Sequence, residues 1–269
     1  MATGICKLTG ELGEFVASHL IPKALTRPPV RGQSFIEAGN GSRPGRRWSS
    51  WYDKALVTQS GEAILARLDT WAIEELRKQK LVWSGWGPML KLVTQRHTTM
   101  PDGSGGAHEV TVEEPGRLRL FFLSLLWRAA ASTRRGFEEI QLPPDDLENL
   151  RTMLVSGDPS PLSFYPMTLT QLSTVGDAHN LAPRVLEESP YGEVPVFRFY
   201  FDGLVTHIYR STNNPELLDR LGLTAVGKDK LLGVVTVPFE TSRQRETMIS
   251  LMVEAAEGWP NEFERLTRR

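Results

Sequence analysis

The sequence predicts an α+β fold, because its helices and strands are grouped along the chain and do not alternate in β-α-β order. Apolar residues recur at helical spacing in four segments: 60–80, 114–133, 143–157 and 242–259. A short helix is expected at 214–223. Strands are expected at 90–100, 163–173, 194–203, 204–210 and 230–239. Asp202-Gly203 is a tight-turn dipeptide, so the third and fourth of these strands should form a hairpin of an antiparallel sheet.

Composition sets limits on function. The chain has 269 residues, 40% of them apolar and 23% charged, with a formal net charge of -1. These values are typical of a globular protein, and they give no global field that favours nucleic acid or a membrane. Cys6 is the only cysteine. This excludes an intramolecular disulfide and a cysteine-based zinc site, and it favours a reducing cytoplasm.

The first 59 residues have a different character from the rest. They read as short strands and loops, and segment 26–47, rich in Gly, Pro and Arg, predicts an irregular basic loop. The Gly-rich stretch 101–107 is expected to be a turn or a boundary. We therefore predict an N-terminal module at 1–100 and an α+β module at 101–269, or else one continuous domain.

Short motifs near the N-terminus resemble a known family. "CKLT" has the spacing of a Cys-x-x-Cys knuckle with threonine at the second position, and "SHLIPK" follows at 18–23. "YD" at 52–53 then precedes a helix whose start carries Thr58 and Gly61. This layout resembles a degenerate member of the HNH endonucleases, which have a treble-clef or ββα-metal fold.

The resemblance implies a ββα module from which structural zinc has been lost. Its four ligand positions correspond to Cys6, Thr9, Thr58 and Gly61, and only the first carries a thiol. Since structural zinc contributes on the order of 10 kcal/mol to folding, packing must replace it. We expect aromatic residues near this module to take over that role: Phe15, Trp48, Trp51, Tyr52, Trp71, Trp83 and Trp86.

The resemblance also implies candidate catalytic residues. His19 stands at the position of the general base, and Asp69 on the following helix is a candidate second residue. A divalent ion, Mg²⁺ or Mn²⁺, could lie at His19 and Asp53. The alternatives are that His19 is structural, donating to the backbone and capping the loop, or that it makes a non-catalytic contact to a phosphate or another ligand.

The basic segment has two interpretations. Lys23, Arg43, Arg46 and Arg47 could bind phosphates, with Trp48 available to stack on a base. Alternatively, the arginines form ion pairs with carboxylates of the same chain.

Three functional hypotheses follow for this sequence. The first is a DNA- or RNA-binding protein on a metal-free nuclease scaffold, without membrane association. The second is an active metal-dependent endonuclease, and the third is a module that binds a protein partner through exposed tryptophans. The resemblance further implies a prokaryotic protein linked to mobile elements or phage defence.

Overall fold

The computed structural model describes residues 2–27, 34–39, 42–48, 50–188 and 194–267. It confirms the α+β class. Within these residues there are six α-helices: α1 (Gln59–Lys78), α2 (Pro115–Ala131), α3 (Pro144–Ser156), α4 (Pro215–Leu221), α5 (Arg243–Gly258) and α6 (Pro260–Thr267). In the described part of the chain, no helix is long and apolar enough to span a membrane.

Three two-stranded ladders make up most of the N-terminal region. β1 (Thr3–Ile5) pairs with β2 (Leu12–Glu14), and β3 (Ser18–His19) pairs with β6 (Tyr52–Asp53). Between β3 and β6, β4 (Phe35–Gly39) pairs with β5 (Ser42–Arg47). Helix α1 follows β6 after a short turn.

A seven-stranded sheet organises the rest of the chain. Its order is β10-β11-β12-β9-β13-β8-β7. The strands are β7 (His97–Thr99), β8 (Gly106–Thr111), β9 (Met167–Leu172), β10 (Arg184–Leu186), β11 (Val196–Phe201), β12 (Leu204–Tyr209) and β13 (Leu231–Val237). The sheet is mixed, because β9 and β13 run parallel. The sequence predicted an antiparallel sheet, and five of its six strand pairs are antiparallel, including the β11–β12 hairpin predicted at Asp202-Gly203. The β9–β13 pair departs from the prediction.

Helix α2 lies at the centre of the core. Most of its residues are buried, which fits its nearly continuous apolar sequence. Phe121 and Phe122 pack against Phe201 of β11. A single hydrophobic cluster includes Cys6 and Leu8 of the N-terminal region as well as these rings.

Two segments that were expected to be loops contain strands. Within 26–47, β4 and β5 form a hairpin, so the expected irregular loop was wrong for these residues; 28–33, 40 and 41 lie outside the described part. The Gly-rich stretch contains the start of β8. Gly106 lies so close to the backbone of Thr98 that a Cβ would be 2.1 Å from the Thr98 oxygen. Glycine here permits close strand approach, and not only a turn.

The division into two modules stays a prediction. Strand β7, before residue 101, pairs with β8, after it, so the proposed boundary falls inside one hairpin.

Buried titratable groups make the stability depend on pH. Burial lowers the pKa of His207 to about 3 and of His179 to about 4, and raises the pKa of Asp202 to about 6. Below about pH 6.5 the unfolded chain binds two histidine protons that the folded chain does not, while folded Asp202 binds one that the unfolded chain does not. Near pH 5 the unfolded chain therefore binds about one proton more than the folded chain. The free energy of unfolding should decrease by about 1.4 kcal/mol for each unit by which the pH is lowered.

Urea unfolding at a series of pH values between about 7 and about 4.5 measures this slope. The variant His207→Asn removes one of the two histidine protons, so it should reduce the slope by about 1.4 kcal/mol per pH unit. This change in slope does not depend on how the substitution affects stability at pH 7. A pH-independent free energy of unfolding over this range would contradict the assignment of buried neutral histidines.

Candidate functional site

The turn between β1 and β2 brings Cys6 against the start of helix α1. The backbone N–H of Thr9 donates to the Cys6 Sγ at 3.4 Å. Burial alone would raise the pKa of the Cys6 thiol, but hydrogen bonds from the backbone and side chains of Thr9 and Thr58 lower it overall. At Gly61, a Cβ would lie only 2.6 Å from this sulfur. Residues 6, 9, 58 and 61 therefore surround one point.

These four residues do not fit a structural zinc ion. Two threonines and a glycine supply no thiolate or imidazole, which zinc requires. Across the described residues there is no group of three or more His, Cys, Asp or Glu side chains that could hold a metal ion. The space beside the thiol is filled by hydroxyl groups, by Val57 and by the glycine backbone.

The aromatic residues expected to replace zinc are dispersed. Phe15 covers Gly4 of the β1–β2 hairpin, where a Cβ would lie 2.5 Å from the ring. Trp51 is buried and packs edge-on against Phe137. Trp48, in contrast, is 61% exposed. The groups shown at the Cys6 sulfur are Thr9, Thr58 and the first turn of α1 at Gly61, and the replacement of zinc by tryptophan packing stays a prediction.

An arginine lies between the two candidate catalytic residues. Arg128 of α2 donates to the His19 carbonyl oxygen at 3.2 Å and to Asp69 Oδ2 at 2.9 Å, with a second hydrogen bond to Asp69 Oδ1. Its side chain is 1% exposed and that of Asp69 is 17% exposed. His19 and Asp69 are thus neighbours, but the Asp69 carboxylate is occupied by a guanidinium.

Burial is the main reason that the pKa of His19 is lowered; Glu62 and Asp69 raise it, and Lys23 and Arg128 lower it. The ring is therefore neutral at pH 7. A neutral imidazole can accept a proton, but it needs a positioned water and a metal-bound phosphate to act as a nuclease base.

His19 and Asp53 are not brought together around one point. In the β3–β6 ladder His19 pairs with Tyr52, and Ser18 pairs with Asp53. Paired side chains share a face and neighbours along a strand alternate, so His19 and Asp53 lie on opposite faces. The Asp53 carboxylate accepts hydrogen bonds from Ser132 Oγ at 2.7 Å and from the Ala55 N–H at 2.8 Å. It links β6 to the end of α2.

An open cleft of about 970 Å³ lies beside this ladder, and we call it the basic cleft. Six cationic side chains line it, against three carboxylates. The cations are Arg43, Arg47, Lys54, Arg134, Arg135 and Arg184, and the carboxylates are Glu37, Asp53 and Glu138. The six cations come from four separate segments of the chain. The cleft is therefore locally basic, although the whole chain is almost neutral.

Tyr52 supplies an aromatic ring to the basic cleft. The guanidinium of Arg134 lies 5.5 Å from its centroid and the ammonium of Lys54 lies 5.8 Å from it. Arg134 also donates to the Tyr52 carbonyl oxygen at 3.2 Å. The ring and the two cations therefore form one positioned group.

The five residues predicted to bind nucleic acid have different positions. Arg43 and Arg47 line the basic cleft, each with an ion-pair partner: Glu262 at 3.1 Å and Glu37 at 3.2 Å, respectively. Arg46 donates to the Leu266 carbonyl oxygen at the end of α6. Lys23 and Trp48 are not among the residues that line the cleft. Arg43 and Arg47 therefore form the ion pairs of the second interpretation, and phosphate binding by the basic segment stays a prediction.

Sequence reasoning missed four of the cationic residues of the cleft: Lys54, Arg134, Arg135 and Arg184. The adjacent pair Arg134-Arg135, directly after the end of α2, was the available signal. Nothing local connects that pair with the hairpin about 90 residues earlier.

Comparison with known proteins gives no match: no family model, no curated protein and no solved structure matches the chain.

Proposed function

We propose that this chain is a nucleic-acid-binding protein whose basic cleft holds the phosphate backbone, on a degenerate HNH-like scaffold without zinc. The single observation that carries the proposal is the cleft itself. Six cations and three carboxylates line it, and an excess of positive charge in a concave site concentrates anions there. Tyr52 gives it a ring on which a base can stack.

The arrangement at Cys6 supports the proposal that the N-terminal region derives from an HNH-like scaffold. A knuckle-like turn, a threonine at the start of a helix and a glycine in its first turn converge on one thiol. The β3–β6 ladder, with the β4–β5 hairpin inserted between its strands, then leads into α1. Within the proposal, hydrogen bonds to sulfur and close packing have replaced the metal.

The occupied carboxylates favour binding over metal-dependent cleavage. Asp69 is paired with Arg128, and Asp53 is bound to Ser132 and to the backbone. A divalent ion at Asp69 would have to compete with the buried Arg128 guanidinium for both carboxylate oxygens, and at Asp53 it could use only the lone pairs that Ser132 and Ala55 leave free. The function proposed for the cleft therefore requires no divalent ion.

Salt dependence tests the proposal. If Lys54, Arg134, Arg135 and Arg184 all contact phosphates, log K for single-stranded DNA should fall with log[salt] with a slope of about -2.8. Raising the salt from about 50 to about 200 mM should then weaken binding roughly 50-fold, as measured by fluorescence anisotropy of a labelled oligonucleotide.

A pair of exposed cations identifies the binding surface. The double variant Lys54→Gln/Arg135→Gln should reduce the magnitude of the slope by about 1.4. Arg67→Gln, an exposed cation of α1 outside the cleft lining, is the matched control and should leave the slope unchanged. Binding that does not respond to salt, or a double variant that binds like the unmodified protein, would overturn the proposal.

A further inference from the structure

A second cavity adjoins the basic cleft, and Asn180 lines both. Its volume is about 490 Å³. The walls are mainly apolar, and the apolar lining includes Leu25, Phe35, Trp83, Met89, Leu90 and Val175. Leu90 and Val175 are exposed. A mainly apolar cavity with a few converging polar groups is the usual form of a small-ligand site.

Trp83 provides a fixed aromatic wall. Its indole N–H donates to the Leu172 carbonyl oxygen at 3.3 Å, and its ring meets Phe239 edge-on at 6.2 Å. The ring also rests on Gly203, where a Cβ would lie 2.4 Å from it. Glycine at the β11–β12 turn thus makes room for the indole, which remains partly exposed to the cavity.

Asp202 is the one carboxylate that lines this cavity. It lies at the tip of the β11–β12 hairpin, in a left-handed conformation with φ of 49°. Its oxygens accept from the backbone N–H of Ser84 at 3.2 and 3.3 Å. A carboxylate can accept about four hydrogen bonds, so this one retains acceptor capacity. Burial raises its pKa to about 6, which leaves it ionised at pH 7.

The charges around Asp202 indicate what kind of ligand fits. Arg27 and Arg77 also line the cavity, and Arg77 is held by the neutral oxygens of Ser84 and Ala24. Because two cations and only one carboxylate line the cavity, a positively charged amine would be repelled more than it is attracted. These charges favour a ligand that offers neutral N–H donors to Asp202 and also carries negative charge.

We propose that this cavity binds a guanine base, stacked on Trp83 and held by Asp202 through its N1–H and exocyclic N2–H groups. Guanine is the base whose Watson–Crick edge presents two adjacent N–H donors to one carboxylate. Adenine and cytosine place an acceptor beside their amino group, and thymine places a single N–H between two carbonyls. In this proposal Arg27 and Arg77, which line the same cavity, bind the phosphate of the nucleotide.

The guanine can come from a free nucleotide or from a strand in the adjoining basic cleft. Isothermal titration with GMP, IMP and AMP tests the first source. Anisotropy with oligonucleotides that differ only in one central G or A tests the second. We expect GMP to bind more tightly than IMP, and AMP to bind at least about tenfold more weakly than GMP, because a bidentate base contact discriminates by about 1–3 kcal/mol.

Two variants locate the contacts. Asp202→Asn should weaken GMP binding at least about tenfold, whereas Asp229→Asn, an exposed carboxylate outside the cavity lining, should not. Arg27→Gln should weaken the binding of GMP but not of guanosine, which lacks the phosphate. Because Arg27 is exposed, its replacement should not disturb folding.

The proposal would be overturned if neither the free nucleotides nor the oligonucleotides showed a preference for guanine, or if the preference that is seen were unchanged in Asp202→Asn. A preference seen only with oligonucleotides supports the strand as the source. If the protein selects guanine but its DNA binding does not depend on salt, only the proposed function of the basic cleft is wrong. If DNA binding depends on salt but shows no selectivity for guanine, only the proposed guanine site is wrong.

Discussion

Asp69→Asn is expected to destabilise the protein by about 3 kcal/mol, because it leaves the Arg128 guanidinium buried without its counter-ion. Arg128 is 1% exposed and connects three segments: α2 itself, Asp69 on α1 and the His19 carbonyl oxygen on β3. For a chain of this length the loss corresponds to a decrease of about 6–12 °C in Tm, measurable by calorimetry or circular dichroism.

Glu148→Gln is the matched control. It removes a carboxylate from an arginine pair of similar geometry, Arg151–Glu148 at 2.6 Å, in which the glutamate side chain is 59% exposed. Its Tm should be nearly unchanged. The double variant Asp69→Leu/Arg128→Met should recover most of the lost stability, since both charges are then absent. An Asp69→Asn variant as stable as the unmodified protein would show that Asp69 is available for another role, such as catalysis.

The sequence predicted local structure more fully than it predicted the site. Helix α2 follows from a long apolar segment with proline at its start, and the β11–β12 hairpin follows from Asp202-Gly203. These signals involve residues close together in the chain. The β4–β5 hairpin was missed because its Gly, Pro and Arg content conceals any alternation of apolar residues.

The basic cleft depends on contacts between distant segments. Arg43 and Arg47 were identified from the sequence, but Arg134 and Arg184 reach the same cleft only through the packing of α2 and the large sheet. Asp69 was chosen for its position on a helix, and its ion pair with a buried arginine 59 residues later carries no sequence signal. Motif spacing can place two groups near each other without revealing a third that lies between them.

Gly61→Ala tests the packing that surrounds Cys6. The new Cβ would lie 2.6 Å from the Cys6 sulfur, closer than real contacts allow, and 3.0 Å from Val57 Cβ, which is a tight contact. Alanine gains up to about 1 kcal/mol of helix propensity over glycine, but overpacking a buried site costs about 1–3 kcal/mol. The neighbours here are a fully buried sulfur and a β-branched side chain, so we expect a net loss of about 1–2 kcal/mol in urea unfolding.

A control and a rescue separate this clash from a general effect of alanine. Gly258 ends α5 with nothing within 4 Å of its added Cβ, so Gly258→Ala should leave stability unchanged or raise it by a few tenths of a kcal/mol. In the double variant Cys6→Ala/Gly61→Ala the sulfur is gone, and the combined loss should be smaller than the sum of the single losses. If Gly61→Ala stabilises the protein as Gly258→Ala does, the thiol is not packed against the first turn of α1, and the proposed replacement of a metal by close packing is wrong.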